Sequence, residues 1–171
     1  MTFWQNVSST FIGALFGFVF SLFLFYLTTK WARSSHKKSL EKNLVQELQF
    51  NIDFLKKVLG DLGKVIERIT VDERNVFYFF EYARYQSFFL LAYFQQGYLY
   101  EKLDSDDINS ISTILNKMNL SGQNYINSII QMWKDSNMDQ KQALATLGFE
   151  RDSVEGFIKN LDGIKKKIVS R

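Results

Sequence analysis

The chain has 171 residues, a formal net charge of +3, no cysteine, no proline and a single histidine, His36. Without cysteine it can form neither a disulfide framework nor a thiolate metal site, and one imidazole excludes most histidine-based centres. So small a net charge does not indicate a nucleic-acid-binding protein. The absence of proline favours a nearly continuous helical chain, because proline interrupts helices.

The first predicted element is a membrane-spanning helix. Phe11 to Leu27 are seventeen residues without a charge, and Thr28 and Thr29 extend them to nineteen. Nineteen helical residues measure about 28 Å, close to the ~30 Å hydrocarbon core of a bilayer. A buried helix of a soluble protein is one alternative. A cleavable signal peptide is another, but the start of the chain is uncharged and no small-x-small cleavage site follows.

The flanks of this segment predict its anchoring and orientation. Trp4 and Trp31 bracket it, and Tyr26 adds to the second aromatic belt. Residues 1–10 contain no lysine or arginine, whereas several basic residues follow the span: Lys30, Arg33, Lys37 and Lys38. The positive-inside rule then places the amino terminus outside and the rest in the cytoplasm. These basic residues either contact lipid headgroups or only set the orientation of the helix in the membrane.

Three small residues lie along one face of the predicted span. Gly13, Gly17 and Ser21 recur every four residues, and small side chains let a second membrane helix approach closely. We expect this face to pack against another helix or, in a ring of several copies, to line an opening.

The sequence divides into a transmembrane segment with its flanks (1–33) and a cytoplasmic all-α domain (34–171), expected to be a bundle of four or five helices. A helix is predicted from about residue 37 to 69 on a seam of apolar residues with alternating spacings of four and three: Leu48, Ile52, Leu55, Leu59, Leu62, Ile66 and Ile69. This seam serves either packing within the bundle or coiled-coil self-association.

Residues 76–102 are unusually aromatic. Twelve of the twenty-four residues from Phe77 to Tyr100 are Phe or Tyr. A helix aromatic on most faces needs partners on most sides, so we expect it at the centre of the bundle or shared with another subunit. A second membrane span is the alternative, although Glu81 and Arg84 would make it costly.

Three shorter helices complete the predicted bundle. Asp104 or Ser105 is expected to cap a helix whose buried stripe is Ile108, Ile111, Leu115 and Met118. A turn is expected around Ser121–Gly122, before a second stripe: Ile126, Ile129, Ile130 and Trp133. The final helix is predicted from about residue 152 to 169.

Catalytic motifs are missing from this sequence, and we expect no enzyme, no cofactor and no bound metal. It has no glycine-rich phosphate loop and no G-x-S-x-G motif. Helical ribonucleases of the HEPN superfamily use Arg, a polar residue, a short spacer and His. Arg151 and Asp152 begin that pattern, but no histidine follows. Without an imidazole there is no general base of suitable pKa, so we predict no catalytic residue.

One N-terminal span, an all-α cytoplasmic domain and the degenerate Arg151–Asp152 pair resemble the small membrane accessory proteins of type VI-B CRISPR systems. The resemblance implies a HEPN-like helical domain and a homo-oligomeric, ring-shaped pore in the bacterial inner membrane. It further implies a role in enhancing RNA-guided antiviral defence by membrane depolarisation, with an RNA-guided effector complex as partner and no direct contact with nucleic acid. The alternative is a membrane-tethered helical module that docks a soluble partner and forms no pore.

Overall fold

The computed structural model describes residues 3–75 and 78–170, with side chains from residue 15 onward. It confirms the all-α class, since no strand occurs in these ranges. The elements, in chain order, are α1 (Phe3–Thr70), a 3₁₀ turn (Tyr82–Arg84), α2 (Phe88–Gln95), α3 (Leu99–Lys102), α4 (Ser105–Lys117), α5 (Leu120–Lys134) and α6 (Gln140–Val169).

The chain divides into two compact units, Met1–Leu40 and Glu41–Arg171. The first unit contains the amino-terminal part of α1, where the large apolar side chains from Leu15 to Leu27 are exposed. The second unit is a helical bundle around one core. Its largest fully buried side chains include Trp133, Tyr93 and Leu147.

The second half of α1 supplies one wall of that core. Eight of its apolar residues, spaced three or four apart, are fully or almost fully buried: Leu44, Leu48, Ile52, Leu55, Val58, Leu62, Val65 and Ile69. The predicted Leu59 and Ile66 are half-buried, one position away from Val58 and Val65. The helix ends at Thr70, and the Gln140 side-chain amide donates to the last carbonyls of α1, 2.7 Å from Ile69 O.

The expectation of one long helix over residues 76–102 is wrong. The described part of this segment contains extended backbone, the 3₁₀ turn, α2 and α3, with Gly97 at a φ of +74° in the turn between these two helices. A single helix would point aromatic rings in every direction, whereas broken backbone buries Tyr82 and Tyr93 and leaves Phe79 and Phe88 exposed. Among the described residues, α1 is the one helix long and apolar enough to cross a membrane, whereas α2 and α3 have eight and four residues.

Each of the helices α4, α5 and α6 begins at a side-chain cap. The cap of α4 was predicted, whereas those of α5 and α6 correct predicted boundaries. Asp104 caps α4 as expected, together with Asp107 in a capping box. The chain turns at Asn119, whose side chain caps α5 at Gly122 N (3.0 Å), so Ser121 and Gly122 lie inside the helix. A Cβ at position 122 would collide with the backbone carbonyl of residue 117, which explains the glycine.

The last helix is longer than predicted and starts at Gln140 rather than near residue 152. Asp139 caps it, accepting from Gln142 N at 2.7 Å. Ala143 and Leu147 are fully buried and continue the stripe of Val154 and Leu161 towards the amino end. The α4 stripe is also shifted: Ile111, Ile114 and Met118 are buried, whereas Ile108 and Leu115 are half-buried.

Candidate functional site

The apolar segment of the first unit meets the hydrogen-bonding demands of a membrane interior. A bilayer core offers no water, so each polar group there must find a partner within the protein. Ser21 Oγ donates to Gly17 O at 2.8 Å, Thr28 Oγ1 donates to Leu24 O at 2.9 Å, and Thr29 Oγ1 donates to Phe25 O at 2.7 Å. These hydroxyls are satisfied by their own helix. A membrane-spanning role for this helix is therefore chemically consistent.

The small-residue face of this segment is open. A Cβ built on Gly17 would meet no atom within 4 Å, and Ser21 lies one turn further along the same face. The side-chain position of Gly13 lies outside the described residues. A second helix could approach closely at Gly17 and Ser21.

Aromatic and basic residues follow the apolar segment as predicted from the sequence. The Lys30 ammonium lies 5.9 Å from the Tyr26 ring centroid, a cation–π distance, and Trp31 is 84% exposed. Arg33 and Lys38 are exposed. Lys37 is half-buried. The predicted anchor Trp4 lies outside the described side chains.

In the bundle, residues 78–98, here called the strap, are held by polar side chains from α5. The Asn127 side chain makes two bonds to Phe80, accepting from its N–H and donating to its carbonyl, each at 2.9 Å. Gln123 Oε1 accepts from Tyr82 N at 2.8 Å. Backbone outside a helix has no intrahelical hydrogen-bond partners, and the Asn127 and Gln123 side chains supply them here.

Two buried polar residues of α1 hold the rest of the strap. Asn51 donates to Gln86 O at 2.6 Å and accepts from Gln86 N at 2.9 Å. The Glu47 carboxylate accepts from Phe89 N at 2.8 Å and Leu90 N at 2.9 Å. Glu47 thereby caps α2 from another helix, where the local cap residue, Ser87, makes no side-chain bond.

An apolar groove opens between the end of the strap and α4. Its volume is about 320 Å³, at the lower end of the range typical of ligand pockets. Three of its lining side chains are substantially exposed: Leu91 (47%), Phe94 (42%) and Tyr100 (61%). Phe94 and Tyr100 contact each other with ring centroids 5.6 Å apart, and Ile108 and Leu115 line the groove from α4.

Two exposed aromatic residues outside the groove, here together called the knob, are Tyr125 on α5 and Phe149 on α6, which are 49% and 67% exposed. The Lys117 ammonium is 5.8 Å from the Tyr125 ring centroid and 2.7 Å from the carboxylate of the buried Glu150, the residue that follows Phe149. The Lys117–Glu150 ion pair links α4 to α6. The bundle therefore presents both an apolar groove and exposed aromatic side chains outside it.

The degenerate Arg151–Asp152 motif lies on an exposed part of α6. Arg151 and Asp152 lie in the middle of α6, exposed, and the Arg151 guanidinium pairs with the adjacent Asp152 at 3.2 Å. Arg74, elsewhere in the bundle, has a structural role: its guanidinium lies 5.7 Å from the Trp133 ring centroid and donates to the Ser136 hydroxyl. Among the described residues, no group of three His, Asp or Glu side chains could hold a metal ion.

Sequence reasoning missed the four polar residues that hold the strap, Glu47, Asn51, Gln123 and Asn127. A signal for two of them was present, since Glu47 and Asn51 fall on the three-and-four spacing of the buried α1 stripe. Polar residues at core positions must find partners, and non-helical backbone needs them. No protein-family model, no curated protein and no solved structure matches this chain.

Proposed function

We propose that this protein is a membrane-anchored helical effector that assembles into a homo-oligomeric ring and permeabilises the bacterial cytoplasmic membrane. The amino terminus lies outside and the bundle in the cytoplasm, as the basic residues after the span favour. By resemblance, its role is to strengthen RNA-guided antiviral defence when an effector complex triggers it. The observation that carries the proposal is the presence of two apolar surfaces, groove and knob, on one helical bundle behind an apolar helix.

An apolar groove and exposed aromatic side chains outside it favour head-to-tail contacts between copies. Such heterologous contacts form a ring when the rotation between subunits closes. Anchoring in a membrane raises the local concentration of copies, which favours weak contacts of this kind. Membrane anchoring would hold the spans of neighbouring copies near one another, and the small side chains of Gly13, Gly17 and Ser21 permit close approach between such helices.

The contact is tested by the mass of the detergent-solubilised particle, measured by light scattering. Leu91→Asp in the groove and Phe149→Asp in the knob are each expected to weaken self-association by about thirtyfold or more, the effect of losing an interface hot spot. Phe88→Asp is the matched control, since Phe88 is 74% exposed on the same helix as Leu91 but does not line the groove. A wild-type monomer, or equal loss in all three variants, would contradict a groove–knob contact.

Permeabilisation is tested separately, by uptake of a membrane-potential dye in expressing cells. Gly17→Leu is expected to reduce depolarisation because the larger side chain separates the spans. Replacing residues 11–27 with an unrelated apolar segment should have the same effect. Full depolarisation by either variant would argue against a span-lined opening.

A second candidate function is a membrane-tethered module that docks a soluble protein without forming a pore. The intrahelical bonds of Ser21, Thr28 and Thr29 favour it, because these three hydroxyls donate their hydrogens within the helix rather than to water in an opening. Under this alternative the replaced span preserves activity, provided the substitute still anchors the bundle. The span exchange therefore separates the two candidates.

A further inference from the structure

The basic residues after the apolar segment are arranged on one face of the helix. Tyr26, Lys30, Arg33 and Lys37 recur at intervals of four, three and four residues, which places them along one side of α1. We call this set the basic ladder. Lys38 follows Lys37 immediately but points about 100° away from it around the helix axis.

With the apolar segment inserted in a bilayer, the ladder would lie at the depth of the lipid headgroups. Lys30 to Lys37 covers about 10 Å along a helix, and the headgroup layer on each side of a bilayer is about 5–8 Å thick. The potential of anionic lipids extends a further Debye length of about 8 Å into solution. Lys30 and Arg33 therefore fall within the layer and Lys37 at its edge.

No acidic residue lies within two helical turns of Lys30 or Arg33 along the sequence. Residues 28–40 contain no aspartate or glutamate. Lys30 lies over the Tyr26 ring, which orients its ammonium without neutralising it, and the Arg33 side chain is exposed. An arginine one turn from a lysine provides a bidentate donor and a point charge, the combination that suits a phosphate diester.

We propose that the basic ladder is a binding site for the headgroup of an anionic phospholipid, with Lys30 and Arg33 contacting the phosphate and the Tyr26 ring packing at the hydrocarbon boundary. This proposal depends on insertion of the apolar segment into a bilayer. It does not depend on self-association or on pore formation.

The test measures which lipids stay with the protein. The full chain is reconstituted in nanodiscs with equal phosphatidylglycerol and phosphatidylcholine, re-extracted in mild detergent, and its retained lipids are quantified by mass spectrometry. We expect several-fold enrichment of phosphatidylglycerol. Arg33→Gln should reduce that enrichment about fivefold, the equilibrium effect of one basic charge near an anionic surface.

Lys38→Gln is the matched control, because it removes one charge close to the ladder but from another side of the helix. It should change the enrichment by less than about twofold if one face binds the headgroup. Equal losses for Arg33→Gln and Lys38→Gln would show diffuse attraction and overturn the site. Equal retention of the two lipids by the wild type would do the same.

Free phosphate is excluded as the ligand by adding excess inorganic phosphate before extraction. Unchanged enrichment supports a lipid site, whereas displacement of phosphatidylglycerol by phosphate alone would overturn it. Circular dichroism of each variant checks that the helix is intact. The ratio of retained phosphatidylglycerol to phosphatidylcholine can be measured on monomeric and on oligomeric particles. The result therefore does not depend on ring assembly.

Discussion

The buried stripe of α1 and the strap are both rich in large apolar side chains, but they are ordered by different forces. The stripe buries a regular row of Leu, Val and Ile, and its backbone bonds lie within its own helix. In the strap, Phe80, Tyr82 and Gln86 are each held through the backbone by a side chain from another helix. Hydrophobic periodicity thus orders one region, and buried polar residues order the other.

The largest effect is expected from removing the Glu47 carboxylate, the side chain from α1 that caps α2. Glu47→Leu leaves Phe89 N–H and Leu90 N–H without their acceptors, so we expect the free energy of unfolding to fall by about 3 kcal/mol. Glu47→Gln keeps one acceptor and should lose about half as much. Urea unfolding of the full chain in detergent, followed by Trp133 fluorescence with Trp4 and Trp31 changed to Phe, measures both.

Glu67→Leu controls for the change of residue type, since Glu67 is exposed on the same helix. It should alter the free energy of unfolding by less than about 0.5 kcal/mol. If Glu47→Leu proved equally mild, the strap would be held by its aromatic side chains rather than by its backbone.

A smaller difference is expected between the two asparagines that each bind one strap residue twice. Asn51 is 1% exposed and Asn127 is half-buried, so water can take the place of the lost amide more readily at position 127 than at position 51. We expect Asn51→Leu to cost about 2 kcal/mol and Asn127→Leu about 1 kcal/mol. Amide hydrogen exchange should speed up locally, at Gln86 in the first variant and at Phe80 in the second. Equal costs would show that burial does not decide the strength of these anchors.

The same contrast explains which elements could be predicted from the sequence. Both stretches of α1 could be predicted from local signals. The charge-free run before Thr28 indicates an apolar helix, and the three-and-four spacing from Leu48 to Ile69 indicates an amphipathic one; the structure has helix at both places. The cap at Asp104 is a local signal as well, and the structure confirms it.

The strap could not be predicted this way, because its conformation depends on residues far away in the chain. Gln86 bonds a side chain 35 positions earlier, and Phe80 bonds one 47 positions later. Aromatic density indicates burial but not backbone shape. The groove escaped prediction for the same reason, since Leu91 and Leu115 meet only once the strap is in place.

The smallest expected effect comes from a substitution in the strap that should stabilise the bundle. Tyr82 Oη is buried and has no hydrogen-bond partner among the described residues. An unsatisfied buried hydroxyl is a cost, so Tyr82→Phe should stabilise the bundle by about 1 kcal/mol. Tyr100→Phe, at a ring that is 61% exposed, is the control and should leave the free energy of unfolding unchanged. Loss of stability in Tyr82→Phe would mean that the hydroxyl is bonded.

The pH dependence of the free energy of unfolding in Tyr82→Phe tests whether the Tyr82 hydroxyl is buried. Burial, with a further contribution from the Glu150 charge, raises the pKa of Tyr82 above its usual value near 10. A group whose folded pKa is raised contributes its full stability below the unfolded pKa and loses it as pH rises through the folded pKa. Stability should therefore decline above about pH 10, and more gently in Tyr82→Phe. Tyr93, whose pKa burial raises to about 12, maintains part of the decline in that variant. An unchanged alkaline slope would mean that Tyr82 is solvated, and the strap would then be looser at this point than its backbone bonds imply.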